Sequence, residues 1–278
     1  MFGLVTEIVQ LNHLGQGHYA EPYAGGCGLA LEMLFNGIVA EIHINDIDPA
    51  IWSFWHCVLN HTDELIDKIL ATPVTVEEWH KQRDTYRAQR KDHPLQLGFA
   101  AFFLNRTNRS GVIKGAGVIG GLNQTGNYKV DCRFNRLDLA KRIARIAKYQ
   151  DRIHLTNEDA LVFLDKSKSA LPKRTLMFID PPYFNKGANL YTSFYEEKDH
   201  SALAKLIVAY ELPWIVTYDD TPEIQRLYKT RRRFLFDINY SLQEKRIGSE
   251  VLIAAKGLKL PPLIAERQIK RHPTALAA

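Results

Sequence analysis

The chain of 278 residues is 46% hydrophobic with a formal charge of +5, enough apolar material for one domain or for one domain carrying an insertion. It has no run of about 18 apolar residues, which excludes a membrane-spanning helix, and its first residues lack the pattern of a secretory signal. Three scattered cysteines without a C-x-x-C pair argue against a disulfide framework and a zinc ribbon, so we expect a cytoplasmic protein.

The positive charge is concentrated in the middle of the chain. Residues 72–150 contain 15 Lys and Arg against 6 Asp and Glu, a net charge of +9, which leaves −4 for the rest. A basic segment within an otherwise mildly acidic chain indicates a module that binds a polyanion. Charge alone leaves an ordinary solvated surface open as the alternative.

The first part of the chain alternates strands and helices. Residues 19–28 predict a strand and a glycine turn, residues 29–35 a helix, and residues 39–48 a second strand ending in acids. The segment 49–60 predicts a helix that opens on Pro49, a residue suited to a first helical position. This order is typical of a parallel sheet covered by helices.

Glycines follow the first strand, in the stretch E-P-Y-A-G-G-C-G-L-A-L that begins at Glu21. Glycines at such a place let a ligand approach the backbone, and the next helix presents its N-terminus. A dinucleotide-binding loop would have a third glycine, whereas here Gly28 is followed by L-A-L. The loop is a candidate ligand site, and a plain tight turn is the alternative.

Two carboxylates end the second strand in the stretch N-D-I-D-P. Asp46 lies 18 residues beyond Gly28, where a carboxylate of an open α/β sheet can accept hydrogen bonds from both hydroxyls of a ribose. Asp48 directly precedes Pro49 and is suited to cap the helix that starts there. We therefore expect Asp46 to bind the ribose of a ligand and Asp48 to be the helix cap.

The alternation breaks from about residue 60 to residue 148. Helix-like segments there are joined by a loop, residues 111–126, that holds 6 of the 17 glycines, and a helix with a basic face follows at 136–150. We expect a catalytic domain formed by residues 1–59 and 149–257, an inserted and largely helical recognition region at 60–148, and a peripheral tail at 258–278.

Five strands follow the insertion, at residues 152–157, 175–180, 213–218, 234–242 and 250–255. A short polar turn separates the last two, which are expected to pair antiparallel at the edge of the sheet. Asp159 follows the first of the five. A carboxylate there can accept a hydrogen bond from an exocyclic amine, or it can cap the next helix, and the sequence favours neither.

The most informative stretch is Asp180-Pro181-Pro182-Tyr183, directly after a buried strand. Prolines remove backbone donors and stiffen the chain, so a carboxylate oxygen and a carbonyl remain as rigid acceptors beside an aromatic ring. Two acceptors suit an NH₂ group, and the ring suits a planar base stacked on it. A proline-rich turn is the alternative. The ten histidines are scattered without an H-x-x-x-H pair, so no metal site is expected.

These motifs, in this order, resemble those of the Dam-like adenine-N6 DNA methyltransferases over about residues 19–256. The resemblance implies a Rossmann-like α/β fold with a mostly parallel sheet, an antiparallel edge strand, and S-adenosylmethionine as cofactor. It extends to the loop E-P-Y-A-G-G, to N-D-I-D and to E-D-A. The implied cofactor-binding residues are Glu21, Pro22, Tyr23, Ala24, Gly25, Gly26, Gly28, Asp46, Ile47, Asp159, Ala160 and Asp180.

The resemblance also implies a reaction. A methyl group would pass to the N6 amine of an adenine flipped out of duplex DNA. Hydrogen bonds to the Asp180 carboxylate and the Pro181 carbonyl would aim the amine's lone pair at the methyl group. Tyr183 would stack on the base, and Asp180, Pro181, Pro182 and Tyr183 together form the expected catalytic set.

The segment F-F-L-N-R-T-N-R-S-G-V resembles part of the family's DNA-recognition region. Asn105 and Arg106 match the family's N-R pair, and Arg109, Ser110 and Lys114 are candidates for contact with bases or phosphates. The implied partner is double-stranded DNA, and the resemblance implies that the protein associates with the nucleoid. A restriction endonuclease is a candidate counterpart, in a prokaryotic or phage restriction-modification system.

The chain departs from the family pattern at its start, because no Lys of a G-G-K-like turn precedes the glycine loop. A non-catalytic DNA-binding relic with a weakened cofactor site is therefore an alternative. A second alternative keeps the chemistry and changes the substrate to RNA. The basic insert favours duplex DNA, since an RNA enzyme more often carries a separate RNA-binding module.

Overall fold

A computed structural model of the protein describes residues 1–184, 195–240 and 246–266. Within these residues seven strands form one sheet in the order β3-β2-β1-β4-β5-β7-β6. The strands are β1 (His18–Glu21), β2 (Glu41–Asn45), β3 (Ile153–Thr156), β4 (Thr175–Ile179), β5 (Trp214–Asp219), β6 (Arg232–Tyr240) and β7 (Arg246–Ala254).

Helices cover the sheet and form the insertion. In chain order they are α1 (Phe2–Leu11), α2 (Gly28–Phe35), α3 (Pro49–Asn60), α4 (Thr62–Ala71), α5 (Val76–Ala88), α6 (Pro94–Thr107), α7 (Arg136–Ala147), α8 (Ala160–Ala170), α9 (Glu197–Val208), α10 (Pro222–Leu227) and α11 (Pro262–Ala265). In the part of the chain that the structure describes, no helix combines the length and the apolar character that crossing a bilayer requires.

The sheet confirms the predicted α/β fold. Strands β1 to β5 run parallel, and β7 pairs antiparallel with both β5 and β6. All five residues of β4 are buried, as expected for a parallel strand covered by helices on both faces. The last two strands pair antiparallel at the edge of the sheet, as predicted, with β7 beside β5 and β6 outermost.

The first helix is a feature that the sequence reading did not identify. In α1, Val5, Ile8 and Val9 are fully buried, at the i, i+3, i+4 spacing of a helix that packs one face against a core. The helix contacts α2, so the chain before β1 belongs to the same folded unit as the glycine turn.

The inserted helices pack directly on α3. Helix α6 lies along α3, where the rings of Phe54 and Phe102 stack with centroids 5.4 Å apart. The closest approach is at Gly98, where an added Cβ would lie 2.6 Å from the backbone nitrogen of Phe54 and from the carbonyl carbon of Ser53. The insertion therefore shares a core with the sheet domain. The predicted boundaries at residues 59 and 148 remain a prediction.

Gly98→Ala should destabilise the protein by about 2 kcal/mol or more, because its methyl group would collide with the backbone of α3. Urea denaturation followed by circular dichroism gives the free energy of unfolding. Gly3→Ala is the matched control: Gly3 also lies in a helix, but an added Cβ there meets nothing within 4 Å. Equal free energies for Gly98→Ala and the wild type would contradict the close packing of α6 on α3.

Candidate active site

A cleft of about 690 Å³ opens at the carboxyl ends of the parallel strands. It lies beside β1 and β4, where the strand order reverses, which is the usual place of a ligand site in an open α/β sheet. It brings together residues predicted from distant motifs. Its walls include Tyr23, Ala24, Gly25, Gly26, Asp46, Ile47, Asn105, Arg106, Lys114, Asp180 and Pro182.

Within the part of the chain that the structure describes, the other predicted residues do not line this cleft. They are Glu21, Pro22, Gly28, Arg109, Ser110, Asp159, Ala160, Pro181 and Tyr183. Most are sequence neighbours of residues that do line it. Arg109 and Ser110 are exposed just before Val112, which belongs to the wall.

The Asp46 carboxylate fastens the glycine turn. One of its oxygens accepts a hydrogen bond from the backbone N–H of Gly25 and the other accepts one from Asp48, both at 2.9 Å. Burial raises the pKa of Asp46 to about 6. Each oxygen retains a second lone pair, so the side chain can still accept from a ligand hydroxyl while it holds the turn.

Space is open beside the glycines of the turn. A Cβ built on Gly25, Gly26 or Gly28 would meet no atom within 4 Å. Gly25 has a φ of 47°, a conformation that favours glycine, and its carbonyl accepts a hydrogen bond from the indole N–H of Trp55 in α3. The loop is therefore held from two sides and leaves free space along its backbone.

The two other acids that follow strands, Asp48 and Asp159, each cap a helix. Asp48 caps α3 by accepting from the backbone N–H groups of Ala50 and Ile51, as predicted. Asp159 is exposed and caps α8 by accepting from the N–H of Leu161 at 2.8 Å. The cap alternative thus accounts for Asp159, and its contact with a cofactor amine stays a prediction.

Glu21 lies beneath the glycine turn and is only 5% exposed. The hydroxyl of Tyr19 donates a hydrogen bond to its carboxylate at 3.0 Å. Burial raises the pKa of Glu21 to about 8, against the opposing effect of that hydrogen bond and with added repulsion from Asp180. Glu21 is therefore mainly protonated at neutral pH.

Asp180 faces the cleft at the end of β4. Its side chain is exposed to the cleft, while one oxygen accepts a hydrogen bond from the Thr217 hydroxyl at 2.6 Å. Protein atoms around the carboxyl desolvate it in part, and this desolvation raises the pKa of Asp180 to about 6, helped by the nearby Glu250. Thr217 opposes this rise, and at pH 7 to 8 the carboxylate is mainly ionised.

Polar residues of β5 and β7 hold the segment after Asp180. The Tyr183 hydroxyl donates a hydrogen bond to the carboxylate of Glu250, a residue only 2% exposed. The backbone N–H of Phe184 donates to Asp219 at 2.9 Å. Sequence reasoning missed Thr217, Asp219 and Glu250. The available signal was the presence of polar residues within otherwise apolar buried strands.

Asn45, the last residue of β2, is a further residue that sequence reasoning missed. Its buried amide donates to the carbonyls of Pro22 and Glu158, each at 3.0 Å. Its oxygen accepts from the Thr156 hydroxyl at 2.8 Å and from the Glu158 N–H at 3.0 Å. The side chain therefore joins the ends of β1, β2 and β3 through every hydrogen bond that it can make.

The insertion contributes the opposite wall of the cleft. Asn105 donates to the carbonyl of Gly111 at 2.9 Å, and Arg106 donates through Nε to the carbonyl of Arg133 at 3.0 Å. Arg133 in turn donates to the carbonyl of Asn105 at 2.7 Å. These predicted DNA-contacting residues thus also shape the loop that carries Lys114.

The sequence profile of one family, described as D12 class N6 adenine-specific DNA methyltransferase, matches residues 3–245. No curated protein matches the chain. A candidate RNA methyltransferase from Pyrococcus horikoshii is similar in structure with 10% identity and a TM-score of 0.43, over 91% of this chain and 80% of that one. The rRNA methyltransferase aviRa from Streptomyces viridochromogenes shows 11% identity and a TM-score of 0.36, over 90% and 83%. These structural similarities are too weak to indicate a substrate.

Replacing Glu21 should flatten part of the pH dependence of stability. A carboxyl whose pKa rises on folding stabilises the fold when it is protonated, and this stabilisation is lost as pH rises from about 4.5 towards about 8. Relative to Glu21→Gln, the wild type should therefore lose about 1 kcal/mol of unfolding free energy per pH unit in this range. Urea denaturation at several pH values measures it.

Glu32→Gln serves as the control, because Glu32 is an exposed acid of the neighbouring helix α2. Its pH profile should run parallel to that of the wild type. If the Glu21→Gln profile also runs parallel, Glu21 does not carry a raised pKa.

Proposed function

Because the chain belongs to the D12 class of N6 adenine-specific DNA methyltransferases, we propose that it methylates the N6 amine of an adenine flipped out of duplex DNA. Membership makes it an S-adenosylmethionine-dependent adenine-N6 methyltransferase. The duplex substrate, the flipped base and the residue roles are our proposal. One observation carries it: Asp180 shares a single cleft with the glycine turn and with the basic insert.

The cleft fits the cofactor. Its volume of about 690 Å³ lies within the range of small-molecule sites, about 300 to 1,000 Å³. The open space beside Gly25 and Gly26 would admit the cofactor to the backbone, and Asp46 would accept from the ribose. When bound, S-adenosylmethionine supplies an electrophilic methyl group on a cationic sulfur. The ionised carboxylates of Asp46 and Asp180 favour a cation in this cleft.

Asp180 would position the substrate amine. The N6 amine carries two protons, and the Asp180 carboxylate and the Pro181 carbonyl would accept one hydrogen bond each, which turns the nitrogen lone pair towards the methyl group. Methylation makes the nitrogen positive until one proton leaves, and the carboxylate stabilises this charge. Thr217 fixes the carboxylate through its hydrogen bond to one oxygen and leaves the other oxygen for the substrate.

The basic insert supports duplex DNA as the substrate. Lys114 lies at the wall of the cleft, and Arg109 and Ser110 are exposed close to it in the sequence. The side of the cleft formed by the insert, where a base would enter, therefore carries cationic and hydroxyl groups suited to phosphates. Asn105 and Arg106 would contact DNA with the groups that their internal hydrogen bonds leave available. RNA as the substrate and a non-catalytic relic are the alternatives that the first experiment separates.

Purified protein should transfer a labelled methyl group from S-adenosylmethionine to unmethylated duplex DNA and yield N6-methyladenine. Asp180→Ala should lower the rate by about 100-fold or more, because it removes an acceptor and a charge at the reacting amine, while DNA binding is retained. Asp165→Ala is the control, since Asp165 is an exposed acid of α8.

Structured RNA and varied duplexes are assayed in parallel. Transfer to RNA in preference to DNA would contradict the substrate and keep the chemistry. An absence of transfer to either, in protein that binds the cofactor by calorimetry, would refute the proposed enzyme. Salt-dependent DNA binding without cofactor binding would identify the relic.

Substitutions at Tyr183 test stacking on the base. Tyr183→Ala should lower kcat/KM by about 10- to 100-fold through loss of the ring. Tyr183→Phe should have a clearly milder effect, since it keeps the ring and loses only the hydrogen bond to Glu250. Steady-state kinetics on one duplex measure both. Equal losses would show that the hydroxyl, and with it the bond to Glu250, matters more than stacking.

A further inference from the structure

Three histidines and a glutamate gather on one face of the sheet, away from the cleft. His18 begins β1 and pairs in register with Glu41, which begins β2, while His43 pairs with His154 of β3. Side chains of register partners, and of residues two apart in a strand, lie on the same face. The sheet therefore brings together four side chains that are up to 136 residues apart in the chain.

The side chains are close enough to share a ligand. The Nδ1 atom of His18 lies 2.8 Å from Nε2 of His43 and 4.0 Å from a carboxylate oxygen of Glu41. One ligand atom from each of these three residues falls within 4.8 Å of the others. His154 contacts the same Glu41 oxygen through Nε2 at 2.6 Å and stacks on the ring of His43.

We propose that His18, Glu41 and His43 bind a divalent first-row transition metal ion, with Zn²⁺ as the best match. Two imidazoles and one carboxylate form a common zinc ligand set, and a water would complete four ligands. Mg²⁺ and Ca²⁺ fit less well, because they prefer oxygen ligands. His154 does not ligate the ion. It orients Glu41 by hydrogen bonding to its carboxylate, as outer-shell partners of metal ligands do.

The observed geometry needs an adjustment at the histidines and at Glu41, whose carboxylate oxygen lies 4.0 Å from Nδ1 of His18 and must move closer. Zinc–nitrogen bonds of about 2.0–2.1 Å at a tetrahedral angle place two nitrogens about 3.3 Å apart. His18 and His43 are 2.8 Å apart, so the rings must separate by about half an ångström, within the reach of a small rotation. The side chains of His18 and Glu41 are 20% and 36% exposed, which leaves the ion a path from solvent.

The position of the site indicates what the ion would do. His18 and Glu41 start their strands, whereas Gly25, Asp46 and Asp180 follow the opposite ends. The metal would therefore tie β1 and β2 together without contacting the reacting groups. Spacing along the sequence could not predict this site, because its ligands come from two strands that only the folded sheet aligns.

Untagged protein titrated with Zn²⁺ by calorimetry should show one saturable site that His43→Ala or His18→Ala removes. His154→Ala should weaken affinity by about 10- to 100-fold, the usual effect of losing an outer-shell partner. His93→Ala is the control, because His93 is an exposed histidine of the insert and should leave binding unchanged. Mg²⁺ should not compete.

Thermal unfolding provides a second readout that does not depend on methyl transfer. Zn²⁺ should raise the Tm of the wild type and not that of His43→Ala, whose metal-free melting curve also shows whether it is folded. No saturable binding at Zn²⁺ up to about 1 mM would refute the site. So would affinity that is unchanged in His18→Ala and His43→Ala.

Discussion

The Asn45 side chain fixes the sheet edge on which the site is built. It is fully buried and makes hydrogen bonds to Pro22, Thr156 and Glu158, at the ends of the two strands that flank its own. Loss of any of these partners would leave a buried polar group unpaired and would destabilise the fold. The segments that follow β1, β2 and β3 are therefore held in essentially one arrangement. The adjacent Asp46 then fastens the glycine turn from the same strand end. The open backbone beside the cleft is thus held in place by a network of satisfied hydrogen bonds.

Local signals in the sequence were sufficient for the fold and for several structural elements that border the cleft. The buried run of β4, the glycine turn and the cap at Asp48 each depend on residues within a few positions of one another, and each is confirmed. Long-range partners could not be predicted in this way. Glu250 reaches Tyr183 only because β7 pairs with β5, and no local pattern reports that pairing. The hydrogen bond of Arg106 to the carbonyl of Arg133, 27 residues away, was missed for the same reason.

Acidic groups around the cleft share an electrostatic cost. Burial raises the pKa values of Asp46 and Asp180 to about 6 and that of Glu21 to about 8, and Asp180 adds to the shift of Glu21. The carboxylates of Asp46 and Asp180 are therefore partly desolvated and only partly compensated by hydrogen bonds, while Glu21 is mainly protonated. A cationic ligand would relieve this cost, whereas an anionic one would increase it. This preference follows from the residues themselves and agrees with the sulfonium cofactor of the family.

The glycine contact between α6 and α3 has a mechanical consequence. Gly98 lets the two helices touch backbone to backbone, and the same α3 holds the carbonyl of Gly25 through Trp55. Helices without intervening side chains cannot slide independently, because there is no soft layer to absorb the movement. Helix α3 thus contacts the insert at Ser53 and Phe54 and the loop at the cleft through Trp55. The position of the insert and the position of the glycine turn are therefore linked through one shared helix, α3.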